Sequence, residues 1–343
     1  MKFVCVPVDE AEDGLLAHNI FDSRGHKRLK KGTVLQHQHL LLLKELGHEH
    51  IYIARLEPGD VDENTAAREV SRLVCGAGVT LRKASTGRAN LKAARDGVLR
   101  IRSQLIDRIN EVDEGITIAT LRHNTYVKAR QLVATVKIIP FAVRGKALQR
   151  VAELLEGQPP VVTVEPLRIR RIGLLVSSLN NDHDSILQHF LPALQSRFAA
   201  YNLTIGSKRF CRHTPEAVAE GVQQLIDSGS ELILIISMSA IIDRQDVIPV
   251  GVEQAGARVA HYGVPVDPGN LLMIAYKDRV AIVGVPGCAR SRKKNAFDLV
   301  LPQLLAGDRL SKTELVHLGH GGLLDEIRER FQPREPDEDE DIE

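Results

Sequence analysis

The sequence has few of the residues that mark disulfide-rich, zinc-binding or base-stacking proteins. It contains four cysteines, no tryptophan and 4% aromatic residues. The cysteines are far apart in the chain and form no CxxC pair, so neither a disulfide framework nor a thiolate zinc site is indicated. A protein with this cysteine usage is expected in the reducing cytoplasm.

Signals for membrane insertion and export are also lacking. No apolar run approaches the roughly 20 residues that a bilayer-spanning helix needs. The first segment, MKFVCVPVDEAEDG, reaches acidic residues at Asp9 and Glu10, too early for a signal peptide. We therefore expect a protein that is neither exported nor inserted into a membrane.

Charge is distributed unevenly along the chain. The formal net charge is +1, but residues 333–343 hold seven acids and one base, which leaves +7 on the rest. Residues 81–150 carry fifteen Lys and Arg against five Asp and Glu, so an anionic partner is expected. Nucleic acid is disfavoured, because no basic stripe is interleaved with aromatic side chains that stack on bases. The acidic tail is expected to be disordered.

Length and hydrophobic content predict two folded domains. The chain exceeds the roughly 100 to 200 residues of one typical domain, and 43% of it is hydrophobic. Residues 1–157 are typical of an α+β region whose later part is basic and rich in β-forming residues. Gln158-Pro159-Pro160 opens an expected linker over residues 158–167. Residues 168–310 predict an α/β domain, and residues 311–343 an extension that ends in the acidic tail.

The region after the linker alternates strand and helix signals. This alternation predicts a three-layer α/β/α domain with a mainly parallel sheet. The run LILIIS at residues 232–237 is almost wholly apolar, which indicates a central strand covered on both faces. In such sheets ligands bind beyond the carboxyl ends of the strands, where we expect the loops 177–184, 237–246 and 286–292.

Each of these loops carries candidate binding residues. The first offers Ser177, Ser178, Asn180 and Asn181 as neutral hydrogen-bond donors, and places Asp182, Asp184 and Ser185 to cap the next helix. Simple helix capping is the alternative, and Ser177, Ser178 and Ser185 are the candidate contacts to a ligand. The second brings two carboxylates to a helix start, where Asp246 is either a functional group or only an N-cap. The third joins a Pro-Gly turn to four cations, which indicates a phosphate clamp or, alternatively, a solvated basic face. The candidates of the second and third loops are Ser237, Met238, Ser239, Asp243, Arg244, Asp246, Pro286, Gly287, Arg290, Ser291 and Arg292.

Three ordered phrases in this region resemble a known family. They are Asp243-Arg-Gln-Asp-Val, Gly263-Val-Pro-Val-Asp-Pro-Gly-Asn and Gly284-Val-Pro-Gly. Together they resemble the molybdopterin-binding domain shared by molybdopterin adenylyltransferase, molybdopterin molybdotransferase and gephyrin, over about residues 167–307. The resemblance implies molybdopterin or the molybdenum cofactor as ligand, with Asn270 of the second phrase among the contacts.

Phrases in the first half are similar to a bacterial family in which such a region is fused to a cytidylyltransferase-like domain. They include Ala54-Arg-Leu-Glu-Pro-Gly-Asp, Thr86-Gly-Arg-Ala-Asn-Leu and Val133-Ala-Thr-Val-Lys-Ile-Ile-Pro. This similarity implies a cytidylyltransferase or a molybdenum hydroxylase as partner. In place of a cytidylyltransferase domain, however, the sequence after Gly307 runs through Gly319-His-Gly-Gly into the acidic tail.

The loops depart from the pattern of the adenylyltransferases. Those enzymes have a glycine-rich GGTG and an Arg-Asp pair after the central strand, where bare backbone N–H groups approach the ligand. Here Ser237-Met-Ser-Ala has no glycine, and Arg244 is displaced by one residue from the arginine of the pair. The first loop also lacks the Thr-Gly element of that family. The departures favour binding over catalysis.

Histidines and Cys288 offer further candidates for metal or thiol chemistry. Six histidines lie in the first fifty residues, and they include two HxH pairs. His37 and His39 are two residues apart near a helix start, so they would not share a helical face, and exposed polar positions are favoured over a metal site. Cys288 sits within the Pro-Gly turn and is assigned no catalytic role.

Two functional hypotheses follow for the α/β domain. In the first, it binds molybdopterin in cofactor biosynthesis or maturation, holds its phosphate and passes it to a partner. In the alternative, the protein is an active molybdopterin adenylyltransferase or molybdotransferase, with ATP and with Mg²⁺ on Asp246 and Asp243. Scaffolding without catalysis is also open, as is assembly into a homo-oligomer.

Overall fold

The computed structural model describes residues 1–180 and 182–324. The chain divides into two compact units, Met1–Pro166 and a second that begins at Leu167. Asn181 of the first loop and the acidic tail at residues 333–343 lie outside the described residues. Within the described part, no helix is both long and apolar enough to cross a membrane.

The first unit contains fourteen described strands and four α-helices. The strands are β1 (Lys2–Pro7), β2 (Leu15–Leu16), β3 (Ile20–Phe21), β4 (Lys27–Leu29), β5 (His50–Arg55), β6 (Asp60–Asp62), β7 (Val79–Leu81), β8 (Arg88–Ala93), β9 (Gly97–Ile101), β10 (Ile116–Thr120), β11 (Tyr126–Val127), β12 (Leu132–Ile138), β13 (Ala142–Arg144) and β14 (Val162–Glu165). The helices are α1 (His37–Glu45), α2 (Glu63–Val74), α3 (Ser103–Val112) and α4 (Gly145–Leu155).

The sheets of the first unit are small and antiparallel. The larger ones have the orders β1-β5-β2, β10-β12-β8-β7 and β11-β9-β14. Helix α2 packs on β8 and β12, and its buried positions Ala66, Val70 and Val74 recur at helical spacing, so one face is available to the core. A separate core around Leu16, Leu35 and other buried residues joins α1 to the first sheet.

The expected linker differs from the structure. Val162–Glu165 is strand β14, which pairs antiparallel with β9, and Val162 and Val164 are buried. Alternating burial against a neighbouring strand is the ordinary reason for such a segment to be extended. The boundary between the units therefore follows Pro166.

The second unit contains one six-stranded sheet and five described α-helices. The strands are β15 (Ile172–Ser178), β16 (Ile205–Arg212), β17 (Leu232–Ser237), β18 (Arg258–Tyr262), β19 (Met273–Lys277) and β20 (Val280–Gly284). The helices are α5 (His183–Ala199), α6 (Pro215–Asp227), α7 (Val247–Gln254), α8 (Ala296–Ala306) and α9 (Lys312–His317), with a short 3-10 helix at Gly287–Arg290.

The prediction of a mainly parallel α/β sheet is confirmed. The strand order is β16-β15-β17-β20-β19-β18, and only β19 runs against its neighbours. Strand β17 lies inside the sheet with Leu232 to Ile236 buried, as its apolar run predicts. Helices α6 and α7 cover one face, where they share a core with Leu175 and Ile233, and α5 packs on β15 and β17.

Candidate ligand site at the carboxyl edge of the parallel sheet

Three parallel strands of the second unit end side by side. The Cα of Ser177 in β15 is paired with that of Ser237 in β17, and Ile235 of β17 is paired with Gly284 of β20. The loops that follow these strands therefore leave at one edge of the sheet. We call residues 177–180, 182–185, 237–246 and 285–294, together with His213, the carboxyl-edge site.

The serines at the end of β15 are buried and have partners within the protein. Ser177 Oγ lies 2.9 Å from His213 Nδ1. Ser178 Oγ accepts hydrogen bonds from the backbone N–H groups of Asn180 and Asp182 and donates to the Asp182 carboxylate. These serines thus shape the turn, whereas Ser185 is exposed in the first turn of α5.

His213 is a buried member of the site that the sequence motifs did not indicate. It follows β16, and burial lowers the pKa of its imidazole below the ordinary value, while the nearby carboxylate of Asp246 partly opposes that shift. Beside it, burial raises the pKa of the Cys211 thiol. The sequence could have indicated it, because a histidine between a strand and the Thr-Pro start of the next helix lies at the carboxyl end of that strand.

The carboxylates of the second loop bind backbone N–H groups. Asp246 is the N-cap of α7: Oδ1 accepts from Val247 N at 2.7 Å and Oδ2 from Ile242 N at 3.1 Å. Asp243 Oδ1 accepts from Gln245 N at 2.7 Å. These bonds match the alternative reading of Asp246 as a cap.

The residues offer a magnesium ion only part of its ligand set. Each oxygen of Asp246 accepts one backbone hydrogen bond and keeps a lone pair for another partner. Over residues 1–180 and 182–324, no group of three or more His, Cys, Asp or Glu side chains could hold a metal ion. The second loop thus offers Mg²⁺ at most two carboxylates, and its other oxygen ligands would have to come from phosphate and water.

Arg244 contacts the far edge of the sheet. Its Nη1 donates to Val259 O at 3.4 Å, on the edge strand β18. The same part of the loop is tied to β18 by Tyr262, whose hydroxyl donates to Ile241 O at 2.9 Å. Burial, with Asp243 and Asp246 nearby, raises the pKa of the Tyr262 phenol.

Large apolar side chains are exposed on the first two loops. Leu179 is 72% exposed, Met238 52% and Ile242 75%. Between the last two, Ser239 N donates to Ser237 Oγ at 3.1 Å, which folds the chain back after β17. The first two loops thus expose apolar side chains, whereas a glycine-rich loop after β17 would have exposed backbone N–H groups there.

The third loop is a tight turn with exposed cations. Pro286 precedes the 3-10 helix that Gly287 begins, and Ala289 is buried. Arg290 Nε donates to Gly287 O at 2.9 Å, and its guanidinium lies 5.8 Å from the centre of the Phe190 ring. Ser291 is exposed, and its Oγ accepts from Lys293 N at 3.1 Å.

Arg197 of α5 holds this loop from inside, although no motif indicated it. It is 8% exposed and donates to the backbone oxygens of Ala289 and Lys293, each at 3.0 Å. Its Nε lies 2.8 Å from Asp298 Oδ1 on α8. Because the loop is held by its carbonyl groups, its cationic side chains are left outside.

Three of those cations have unpaired side chains among the residues that the structure describes. Arg292, Lys293 and Lys294 are exposed, and no ion pair or hydrogen bond from the described part of the chain engages their charged groups. Unpaired cations on a fixed turn are a favourable arrangement for a phosphate, since little ordering is needed on binding.

The Gly263–Asn270 phrase forms a loop against the start of α8. A Cβ atom on Gly269, whose φ is +121°, would meet Ala296 N at 2.5 Å, so glycine is needed there. Asn270 is exposed, and its backbone oxygen accepts from Val264 N. Burial raises the pKa of the neighbouring Cys288 thiol, which disfavours a reactive thiolate.

Comparisons with known proteins give a short family match and distant structural similarities. A family model described as "Domain of unknown function (DUF8806)" matches residues 5–55. No curated protein matches the chain.

Several similar solved structures are molybdenum-cofactor biosynthesis proteins. The structure from Pyrococcus furiosus is 13% identical, with 92% of this chain and 65% of that chain covered and a TM-score of 0.24. The molybdopterin biosynthesis enzyme MoaB from Thermus thermophilus is 15% identical, with 41% and 98% covered and a TM-score of 0.30. The MoeA protein from Pyrococcus horikoshii is 11% identical, with 89% and 75% covered and a TM-score of 0.30.

These similarities do not transfer a ligand or an activity. The chain spans 65% of the length of the Pyrococcus furiosus protein, less than two thirds, and the TM-scores are low. A function must therefore be argued from the side chains of the carboxyl-edge site.

Proposed function

We propose that the second unit binds molybdopterin, or the molybdenum cofactor, at the carboxyl-edge site. The observation that carries the proposal is the third loop, on which Arg292, Lys293 and Lys294 are exposed and unpaired within the described residues. The ordered phrases of the sequence supply the identity of the ligand. In this arrangement the cations bind the terminal phosphate of the pterin.

The apolar side chains beside the cations fit the rest of such a ligand. Met238, Ile242 and Leu179 offer surface for a flat ring system, and the nearby serines and Asn270 offer hydrogen bonds to its edges. The loop after β17 contains no glycine, so its Cβ atoms occupy space that bare backbone would leave to the ligand.

The proposal is binding and delivery rather than group transfer. Transfer of an adenylyl group needs the nucleotide phosphates held in line with the attacking group, and the loop after β17 has no glycine that would bring backbone N–H groups to them. The bound pterin passes to a partner enzyme, for which a cytidylyltransferase or a molybdenum hydroxylase is the candidate class.

Titration of the full chain with molybdopterin tests the proposal. Replacing Arg292 and Lys294 with Ala removes two phosphate donors, so affinity should fall at least about tenfold, since charge-assisted bonds contribute about 1.5–3 kcal/mol each. Arg290→Ala should also weaken binding, with a small loss of stability because it removes the contacts to Gly287 and Phe190.

Arg279→Ala is the matched control. Arg279 is an exposed cation in the turn between β19 and β20, at the opposite edge of the sheet. Its loss removes one positive charge, as Arg290→Ala does, but should leave affinity unchanged. The carboxyl-edge site is not the binding site if the wild-type protein does not bind molybdopterin, or if Arg279→Ala lowers the affinity as much as the third-loop variants do.

A further inference from the structure

A cavity in the first unit lies beside the amino end of α3. Its volume is about 800 Å³, within the range of small-molecule sites. One wall is the end of β9 and the start of α3, and another is the segment 158–160 before β14. It belongs to the basic region of the sequence and shares no residue with the carboxyl-edge site. We call it the α3 pocket.

Three arginines line the α3 pocket with a single acid. Arg100 Nε lies 2.9 Å from Glu165 Oε2, so that pair is largely neutralised. Arg102 and Arg108 are exposed, and neither makes an ion pair or side-chain hydrogen bond to any residue that the structure describes. The pocket therefore has two arginines with unused donors, while its one acid, Glu165, is paired with Arg100.

Backbone geometry adds to this positive character. Helix α3 begins without a side-chain cap, and the N–H groups of Leu105 and Ile106 donate to Arg102 O. Ser103 and Gln104, which precede them, line the pocket, and the first N–H groups of a helix have no intrahelical acceptor. The partial positive charge at this helix end favours an anion in the same place as the two arginines.

The remaining lining includes apolar surface and a histidine ring held by the backbone. Pro159, Pro160 and Leu105 offer flat apolar surface. His123 is held because its Nδ1 accepts from Ile101 N at 3.0 Å, which places the proton of the neutral ring on Nε2. A ligand with an anionic head and a ring-sized body matches this combination of cations and apolar walls.

From this geometry we propose that the α3 pocket binds a phosphorylated small molecule of nucleotide size. Arg102, Arg108 and the first turn of α3 bind the phosphates, and the proline segment contacts the ring. The proposal is independent of molybdopterin binding, since the two sites lie in different units and are removed by different substitutions.

Calorimetric titration of the full chain with ATP, AMP, inorganic pyrophosphate and adenosine tests this. We expect ATP and AMP to bind. Pyrophosphate should bind more weakly than ATP, and adenosine at least about tenfold more weakly than AMP. The double substitution Arg102→Ala and Arg108→Ala should lower the affinity for ATP at least about tenfold. Lysine at both positions keeps the charge but loses the guanidinium geometry, so it should lower the affinity for ATP less than alanine does.

Two control variants decide where the phosphate is bound. Arg82→Ala removes an exposed cation of the same unit that does not line the pocket, and it should change affinity by less than about twofold. Arg292→Ala tests the other site and should leave ATP affinity unchanged. The proposal is overturned if no phosphate probe binds, if Arg82→Ala weakens ATP as much as the pocket variants, or if only Arg292→Ala does so.

Discussion

At the scale of single residues, Arg197 determines the path of the third loop. Its guanidinium is almost fully buried and binds two backbone oxygens of the loop as well as the Asp298 carboxylate. A buried cation of this kind contributes to the stability of the fold, because its removal leaves several buried partners without hydrogen bonds. The same carboxylate accepts from Asn295 N and so fixes the start of α8.

Arg197→Ala is therefore expected to be strongly destabilising. Breaking a buried ion pair by removing one partner costs about 3–5 kcal/mol, which urea unfolding followed by circular dichroism would measure. Arg171→Ala is the control, since the Arg171–Glu231 pair is much more exposed and surface pairs contribute about 0–1 kcal/mol. A similar small loss in both variants would contradict the structural role of Arg197.

His213 should make the stability of the protein depend on pH. Because burial lowers its pKa, the unfolded chain takes up a proton at a higher pH than the folded chain does. Stability should thus fall as pH drops below the unfolded value of about 6.5. His213→Asn should reduce the loss of melting temperature between about pH 7.5 and 5.5, whereas the exposed His320→Gln should not. An unchanged slope in His213→Asn would rule out this contribution.

At the scale of elements, the start of α8 depends on a close approach by Gly269. Gly269→Ala should cost more than the roughly 1–2 kcal/mol of a left-handed alanine, because the new Cβ would also meet Ala296 N. Gly256→Ala is matched, since φ there is +81° but the nearest atoms are a flexible lysine end at 3.7 Å. Thermal melts should show a clearly larger loss for Gly269→Ala.

Elements with strong local patterns could be predicted from the sequence. The apolar run of β17, for example, identified an interior strand of the sheet. Helix α3 was not expected, because it has only ten residues with three buried positions and lies among β-rich segments. Strand β14 was hidden by the Pro-Pro pair before it, which is typical of a linker.

The site could be predicted only in part. The three loops follow from strand order, which places them at one edge. The partners of Ser177 and Arg197 lie 36 and 92 to 101 residues away in the chain, so no local spacing identifies them. Long-range contacts therefore decide which candidate side chains are free to meet a ligand.

At the scale of the whole molecule, binding and transfer can be separated by one assay. Given molybdopterin, ATP and Mg²⁺, the full chain should release no pyrophosphate above background, because the glycine-free loop after β17 crowds the approach of the nucleotide phosphates. Asp246→Asn keeps one acceptor oxygen and should alter pterin binding only modestly. Pyrophosphate release that Asp246→Asn abolishes would establish the transferase instead.

The clamp on the third loop also bears on how the site can change. Since Arg197 binds carbonyl oxygens, its hydrogen bonds to residues 289 and 293 use only the backbone of those residues. Charge and size at positions 292–294 can then be exchanged at little cost in folding, whereas positions 197 and 298 should tolerate almost nothing. Ligand preference can thus diverge among descendants of this chain, or in a randomised library, while the scaffold beneath it stays constant.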